Sequence, residues 1–300
     1  MKFGRRDKYL HSSSFSPHPL QILGHRGARG SWPENTLPSI MAAVEAGVDG
    51  VEIDLLGTKD GEIILHHNFF INPDLCRYFD GTPMERAVLI SGITYSEIKK
   101  IDCGAKHPDF PKQKSIPGTA IPTLKELFTA LQQSNHPNAH KVELNLEIKA
   151  DPTTPSYILK IPQLVKIIVD LVRQYKFTDH VYYSSFDPNI LKEVRRVDPH
   201  AKLGFLFDTD ILDYANIDLF NWVEYAAKKG EEVQAQIISP DYLLLNKINI
   251  HELQKKGFQV VTWTVNDYLV CKELINKGID GIITDYPYEL IQLLRKEYII

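Results

Sequence analysis

Histidines, carboxylates and basic side chains end several short apolar runs of this chain, where they could carry acid–base or metal chemistry. "ILGHRG" contains a histidine and an arginine, "GVEIDLL" two carboxylates, "EIILHHN" two histidines, and "LNLEIKA" a carboxylate and a lysine. The side chains concerned are His25, Arg26, Glu52, Asp54, His66, His67, Glu147 and Lys149. Their chemistry depends on which of them share one face of a strand.

Glu52 and Asp54 are two residues apart in an apolar run, so on a β-strand both point to the same face. Two carboxylates this close repel each other unless a cation or a shared proton lies between them. A divalent metal with oxygen ligands is the simplest arrangement that satisfies both. The alternative is an exposed edge strand whose acids face water.

Glu147 and Lys149 share a strand face by the same alternation. The carboxylate would give a metal site its third oxygen ligand, and the lysine would meet an anion. The alternative is an internal ion pair on the strand, because charged side chains are almost never buried without a partner.

Eight apolar runs rich in Ile, Val, Leu and Phe alternate with longer amphipathic stretches. This pattern is typical of repeated strand–helix units around a parallel sheet, and eight units predict an α/β fold, a (β/α)₈ TIM barrel. The predicted strands lie at 21–27, 50–58, 142–149, 180–187, 202–208, 235–245, 257–266 and 280–287, and 62–68 is predicted to extend the second as a hairpin.

Six amphipathic stretches between these runs predict helices. The first has Thr36 as its N-cap, Pro38 in its first turn and Gly47 as its stop. The other predicted helices lie at 161–175, 188–198, 249–257, 267–278 and 288–298.

Two parts of the chain fall outside the repeated units. The stretch at 69–118 is too long and too weakly patterned for a plain loop, so we predict an insertion after strand two, with a short helix in "TYSEIKKID", lying over the active site. Residues 1–20 are predicted to be an extension that precedes a barrel domain at 21–300. They contain no apolar run of signal-peptide length, and no segment approaches a membrane span.

The predicted barrel gathers the chemically capable residues at one end. Barrel enzymes hold their catalytic residues at the carboxyl ends of the strands. His25, Glu52, Asp54, His67 and Glu147 all fall at those ends of the first three strands. Alternation lets only one of His66 and His67 face the barrel mouth, and we predict that His66 is structural.

Composition excludes some functions. The chain has 43% hydrophobic and 24% charged residues and a formal net charge of −4, without a long basic run, so nucleic acid is not an expected partner. The three cysteines are far apart and odd in number, which predicts neither a disulfide framework nor a zinc site. A reducing, cytoplasmic location is therefore expected, without stable membrane insertion.

Six separated motifs together resemble the glycerophosphodiester phosphodiesterase family. They are "HRGARGSWPENTLPSIMAAVEAGVDGVEIDLLGTKDGEIILHHN", "IPTLKELF", "LNLEIK", "SSFDPNILKEVRR", "VVTWTVND" and "GIDGIITDYP", and they occur in the family's order from about residue 22 to the C-terminus. The resemblance implies a metal-dependent barrel hydrolase that cuts glycerophosphodiesters into glycerol 3-phosphate and an alcohol.

The resemblance also implies roles for single residues. His25 and His67 would be the general acid and base, in an order that the sequence leaves open. Glu52, Asp54 and Glu147 would bind Mg²⁺ or Ca²⁺, and Arg26, Lys149 and Trp263 would contact the substrate. The chain departs from the family at Asn68, where the family usually has an aspartate after the second histidine.

Alternatives to this reaction remain at the level of the sequence. The nucleophile would be water or the substrate's own glycerol hydroxyl. A phospholipase or lysophospholipase of D or C type would use the same residues but would need an apolar groove or a membrane-facing patch. A barrel that only binds phosphodiesters is disfavoured, because both histidines are present. The headgroup preference and the oligomeric state are not predicted.

Overall fold

The structure, a computed structural model, describes residues 19–150, 157–211 and 218–297. Eight parallel strands form a closed barrel, because the first strand pairs with both the second and the last. The barrel strands are β1 (Gln21–His25), β2 (Gly50–Gly57), β3 (Glu143–Ile148), β4 (Val181–Ser185), β5 (Leu203–Phe207), β6 (Ile237–Pro240), β7 (Gln259–Thr262) and β8 (Gly281–Thr284). The predicted TIM barrel is therefore confirmed, while most of the predicted extension lies outside the described residues.

Alternation along the strands separates the core from the site. On β2, Val51, Ile53 and Leu55 join the apolar layer under the helices, which leaves Glu52 and Asp54 on the inner face. Side chains from β1, β4, β6, β7 and β8 fill the barrel interior and are almost completely buried. They are Leu23, Tyr182, Ile237, Val261 and Ile283.

Strand register brings the chemically capable residues to one level of the barrel. His25 on β1 is paired with Glu52 on β2, and Asp54 is paired with Glu147 on β3. On the other side of β1, Gly24 is paired with Thr284 at the end of β8. Residues distant in sequence therefore meet at the carboxyl ends of β1, β2, β3 and β8.

A helix follows each barrel strand. They are α1 (Leu37–Ala46), α2 (Leu124–Gln133), α3 (Ile161–Gln174), α4 (Pro188–Val197), α5 (Trp222–Glu232), α6 (Lys247–Lys255), α7 (Tyr268–Lys277) and α8 (Pro287–Glu297). In α1, Thr36 accepts a hydrogen bond from the backbone of Ser39, and Gly47 ends the helix with a φ of 87°, as predicted. The six predicted helices are confirmed, and α2 and α5 are additional. Within the described residues, no helix has the length and apolarity needed to cross a membrane.

The predicted insertion leaves the barrel after β2 and the short strand Ile63–Leu65, which pairs with β2 in the expected hairpin. It has two small antiparallel ladders, Phe70–Ile71 with Val88–Leu89 and Arg77–Tyr78 with Ile101–Asp102. The predicted short helix is Tyr95–Ile98. A second apolar cluster holds the insertion on the barrel: Leu56, Ile64, Ile71, Cys76, Met84, Ile90, Ile98, Ile101 and Ile121.

The cysteine prediction is wrong. Cys76 and Cys103 form a disulfide with an S–S distance of 2.07 Å, and only Cys271 of the three is free. The two cysteines are 27 positions apart, but the folded insertion places their Cα atoms 4.3 Å from each other. Disulfides are typical of oxidising compartments, so the cysteines no longer argue for the cytoplasm.

Candidate active site

A cavity of about 250 Å³ opens at the carboxyl ends of the barrel strands. Seven of the eight sequence-predicted site residues line it, and the eighth, Asp54, lies directly behind them against Arg26 and Lys149. The lining side chains are His25, Arg26, Glu52, His67, Asn145, Glu147, Lys149, Phe186, Leu206, Asp208, Trp263 and Ile283. The predicted constellation is therefore assembled in one place.

Three buried carboxylates at the cavity floor form a candidate metal site. One oxygen each from Glu52, Asp54 and Glu147 lies within 4.8 Å of the others. Glu52 Oε1 and Asp54 Oδ1 are buried and accept no hydrogen bond. Buried carboxylate oxygens without a donor are costly. The triad and its unsatisfied oxygens therefore fit a hard divalent cation, which prefers oxygen ligands.

The electrostatics of the triad are those of crowded acids. Burial raises the pKa of Glu52 well above its ordinary value, and the charges of Asp54 and Glu147 raise it further. Burial also raises the pKa of Glu147, against the opposing effect of Lys149. Burial alone would raise the pKa of Asp54 as well, but Arg26 and Lys149 outweigh it and the pKa is lowered. The triad therefore resists full ionisation unless a further positive charge is bound.

Two cations border the triad. Lys149 Nζ lies 2.7 Å from Glu147 Oε1 and 3.5 Å from Asp54 Oδ1. Arg26 has its Nε 3.2 Å from Asp54 Oδ2, and its backbone N–H donates to Glu52 Oε2 at 3.0 Å. The pKa values of both cations are raised, because nearby carboxylates more than offset the effect of burial. Both side chains therefore stay protonated beside the cavity.

The loop after β1 orients these groups through two residues that are not among the predicted site residues. Glu34 accepts two hydrogen bonds from Arg26 Nη1, at 3.1 and 3.0 Å, and contacts Arg29 Nε at 2.6 Å. Asn35 donates its amide N–H to Asp54 Oδ2 at 2.8 Å and accepts the backbone N–H of Asp54. The arginine and the central carboxylate are therefore held from the same loop.

His25 is oriented by a carboxylate from the far end of the chain. Its Nδ1 lies 2.6 Å from Asp285 Oδ1, while Nε2 lies 3.8 Å from Glu52 Oε2. Asn266 holds Asp285 by donating its amide N–H to Oδ2 at 2.7 Å and by accepting the backbone N–H of Asp285. Because an ionised carboxylate only accepts, Nδ1 must carry a proton and Nε2 is the atom left for chemistry. Burial and then Arg26 lower the pKa of His25, and Asp285 opposes the shift.

His67 is oriented by the neighbouring amide instead. Its Nδ1 lies 2.8 Å from Asn68 Oδ1, and burial lowers its pKa to about 3. An amide oxygen can only accept, so Nδ1 donates and Nε2 is again left for chemistry. His66 does not line the catalytic cavity, and its Nδ1 contacts the backbone oxygen of Asn68 at 2.8 Å. The predicted alternation of the two histidines is therefore found in the structure.

Two aromatic side chains, Trp263 and Phe186, also line the cavity. Trp263 donates its indole N–H to the backbone oxygen of Ser239 at 2.9 Å and forms a T-shaped pair with Phe186, 5.5 Å between ring centroids. Lys149 Nζ lies 6.0 Å from the centre of the Phe186 ring. Trp263 therefore faces the predicted substrate space from a fixed position.

The fold and the site define a class: a TIM-barrel protein whose mouth combines two imidazoles, two cations and a carboxylate triad, equipped for acid–base chemistry on an anionic substrate. A model of the glycerophosphoryl diester phosphodiesterase family matches residues 25–289. The chain belongs to this family of phosphoric diester hydrolases.

Individual relatives agree with the family match. A glycerophosphodiester phosphodiesterase of Caldanaerobacter subterraneus subsp. tengcongensis is 29% identical, over 92% of this chain and 98% of that protein. A lysophospholipase D of Mus musculus is 27% identical, over 91% of this chain and 85% of that protein.

Solved structures share the fold over nearly the whole chain. A candidate glycerophosphoryl diester phosphodiesterase from Silicibacter pomeroyi DSS-3 superposes with a TM-score of 0.84 at 28% identity, covering 95% of this chain and 96% of that one. A phosphodiesterase from Oleispira antarctica, solved with the product sn-glycerol-3-phosphate, superposes with a TM-score of 0.70 at 22% identity, covering 93% and 96%. At that identity the second likeness concerns the fold alone.

Proposed function

We propose that this protein hydrolyses glycerophosphodiesters to glycerol 3-phosphate and an alcohol, using His25 and His67 as an acid–base pair and a divalent cation at the carboxylate triad. The observation that carries the proposal is the shared cavity: the Nε2 atoms of both histidines are left for chemistry beside Arg26, Lys149 and the triad. The family match and the Caldanaerobacter relative named as a glycerophosphodiester phosphodiesterase support the choice of substrate.

The cations and the triad would hold the phosphate. Glu52, Asp54 and Glu147 would bind Mg²⁺ or Ca²⁺, both of which take carboxylate oxygens, and the bound ion would supply a Lewis acid for a phosphate oxygen. Arg26 and Lys149 would neutralise the charge that builds on the non-bridging oxygens. Glu34 keeps the Arg26 guanidinium in place, so little reorganisation is needed when the substrate binds.

The two histidines would move the protons. One Nε2 would take a proton from the nucleophile and the other would give a proton to the leaving alkoxide. Attack by water would give glycerol 3-phosphate directly, whereas attack by the substrate's glycerol hydroxyl would give a cyclic phosphate that water opens to glycerol 3-phosphate in a second step. Asp285 fixes the tautomer of His25 and stabilises its protonated form, whereas Asn68 fixes the tautomer of His67 without adding charge. Asp285 is thus a positioning residue that acts through His25.

A second candidate is hydrolysis of a lysophospholipid, which one observation favours. A trough of about 510 Å³ adjoins the catalytic cavity, because His67 and Lys149 line both. Phe69, Phe70, Asn72, Ala87 and Ala150 line the rest of it together with Asn68, and Tyr157 packs on both phenylalanine rings at 6.0 and 5.0 Å. This is an apolar groove of the kind that an acyl chain needs, and a relative is named as a lysophospholipase D.

The reaction is tested on glycerophosphocholine by ³¹P NMR. We expect glycerol 3-phosphate as the phosphorus product and loss of turnover after chelation, restored by Mg²⁺ or Ca²⁺. Glu147→Gln should abolish turnover, while Glu143→Gln should not, because Glu143 begins the same strand and pairs with Lys202 at the opposite end of the barrel. Phosphocholine as the main product, or full activity without metal, would contradict the proposal.

The lysophospholipid candidate is tested with a variant that fills the trough. Ala87→Phe should reduce turnover of lysophosphatidylcholine and leave that of glycerophosphocholine unchanged, because Ala87 borders the trough but not the catalytic cavity. Equal effects on both substrates would show that the trough does not bind the acyl chain of the lysophospholipid.

A further inference from the structure

Large apolar side chains are strongly exposed almost exclusively at the catalytic end of the barrel. Of the eight that the described part of the chain exposes, five lie between the ends of strands β5 to β8 and the first turns of the helices that follow them, and two lie in the insertion, which leaves the barrel at the same end. The five are Leu219 (56% exposed), Leu243 (73%), Ile248 (70%), Leu269 (73%) and Tyr288 (57%). We call these five residues the apolar rim.

Local structure directs the apolar rim towards the mouth. Ile248, Leu269 and Tyr288 are the second residues of α6, α7 and α8, respectively. Leu243 is the second residue of the short 3₁₀ turn before α6. Side chains on a helix lean towards its N-terminus. The N-termini of these helices lie at the carboxyl ends of the strands, so the rim residues lean towards the face that contains the active site.

Capping side chains hold the rim backbone in place. Asp241 accepts the backbone N–H of Leu243 at 2.8 Å, and Asp267 accepts that of Leu269 at 2.7 Å. Asn246 accepts that of Ile248 at 2.8 Å. The exposed leucines and isoleucine therefore stand on a preformed backbone, and docking them requires little ordering.

The position of the apolar rim limits what can cover it. Three of the four strands that precede the rim, β5, β7 and β8, also supply cavity residues at or near their ends: Leu206, Asp208, Trp263 and Ile283. A protein partner seated on this face would close the mouth against substrate. A lipid surface would not, because it contains the phosphodiester itself.

Charge narrows the kind of lipid. Within two residues of a rim residue the chain has four acids, Asp218, Asp241, Asp267 and Glu289, and one base, Lys247, so the charge beside the rim is negative. An anionic bilayer would repel such a face, whereas a zwitterionic surface carries no net charge. Apolar contact would then supply the binding.

We propose that the apolar rim docks the mouth of the barrel reversibly on a zwitterionic phospholipid surface, from which the site takes lipid phosphodiesters. The inference rests on the proposed function for the identity of the site, and it adds a surface that works separately from catalysis. No single amphipathic helix provides this surface, because its residues come from four successive strand–helix loops.

Vesicle flotation with full-length protein tests the docking. We expect the wild type to float with phosphatidylcholine vesicles and to bind phosphatidylglycerol vesicles less. The affinity of the double variant Leu243→Ser/Leu269→Ser for phosphatidylcholine vesicles should be at least about tenfold lower, because binding scales with buried apolar area. Leu293→Ser is the matched control, since Leu293 is exposed (38%) in the middle of α8, away from the rim, and should bind as the wild type does.

Activity separates the docking from the reaction. The double variant should hydrolyse soluble glycerophosphocholine at the wild-type rate and vesicle-bound lysophosphatidylcholine more slowly. Failure of the wild type to float, stronger binding to phosphatidylglycerol, or unchanged binding of the double variant would overturn the inference. So would a wild-type dimer that the double variant loses, because the rim would then be a protein interface. If neither substrate is hydrolysed, the proposed function fails, and flotation still decides the docking.

Discussion

His66 and His67 differ by one position in sequence, and that position decides which of them faces the cavity. The strand Ile63–Leu65 ends just before them, and only His67 lines the catalytic cavity. We expect His67→Ala to lower kcat by about 10² or more, as does His25→Ala, because each removes a positioned acid or base. His66→Ala should change kcat little. The measurement is glycerol 3-phosphate release with matched circular dichroism spectra, and a larger loss in His66→Ala would show that the assignment is reversed.

Alternation within one strand places Glu52 with Asp54, and Glu147 with Lys149, on one face. The roles predicted for these residues, and Trp263 as a substrate contact, came from the family resemblance. Asp285 is different: it lies 260 positions from His25, and their hydrogen bond exists only because β8 closes the barrel beside β1. A closed barrel does put the end of its last strand next to the end of its first, so the signal for Asp285 was the topology rather than a motif.

At the scale of elements, local patterns predict strands better than they predict every helix. All eight barrel strands fall within their predicted runs, because strands of a parallel sheet are buried on both faces and therefore appear as continuous apolar runs in the sequence. Helix α5 contains Gly230, which weakens the helical pattern. A Cβ at Gly230 would lie 2.6 Å from the side chain of Ile238 and 2.9 Å from that of Phe258, so a larger residue there would make both side chains shift. Helix α2 did carry a signal, the capping box of Thr123 and Glu126.

The insertion is held against the loop after β1 by contacts that the sequence did not predict. Gln113 donates to the backbone oxygens of Arg29 and Trp32, at 2.8 and 3.0 Å, and Phe110 packs on Arg29 at 4.6 Å. The insertion therefore contacts the loop that holds Arg26 through Glu34. Cysteine spacing in the chain cannot reveal that Cys76 and Cys103 meet, because the pairing depends on how this irregular segment folds.

The disulfide should stabilise the protein measurably. It closes a loop across 27 positions, and removing such a link costs about 2–4 kcal/mol. We expect Cys76→Ser/Cys103→Ser to melt at a lower temperature than the wild type. A reductant should lower the melting temperature of the wild type and leave that of the double variant unchanged. Thiol titration monitors the reduction, and an unchanged melting temperature after both thiols appear would show that the link adds no stability.

At the scale of the whole molecule, the triad should make the stability of the folded protein depend on pH and on a bound divalent metal ion. Glu52, Asp54 and Glu147 are buried together, and the raised pKa of Glu52 and of Glu147 arises first from that burial. A carboxyl whose pKa is raised on folding contributes stability below its unfolded pKa and loses it as pH rises through the folded value. The lowered pKa values of His25 and His67 act in the opposite sense, so the contribution of the triad is measured against Glu52→Gln, which keeps both histidines. By thermal unfolding, the metal-free wild type should lose stability relative to this variant between pH 5 and pH 8. Saturating divalent metal should remove that loss, because the ion balances the ionised carboxylates.

The same charge balance predicts that Glu52→Gln raises the melting temperature without metal and lowers it, relative to the wild type, with metal. Glu52→Gln removes a charge that the metal-free protein holds at a cost, so in chelator the variant should melt at a higher temperature than the wild type. With metal the order should reverse, because the wild type gains about 2.7 kcal/mol at a metal concentration 100 times its Kd while the variant has lost a ligand. Glu143 pairs with Lys202 far from the triad, so the melting temperature of Glu143→Gln should rise with metal as much as that of the wild type does. If Glu52→Gln melted below the wild type in chelator and gained as much from metal, Glu52 would be a structural acid and the triad would not be the metal site.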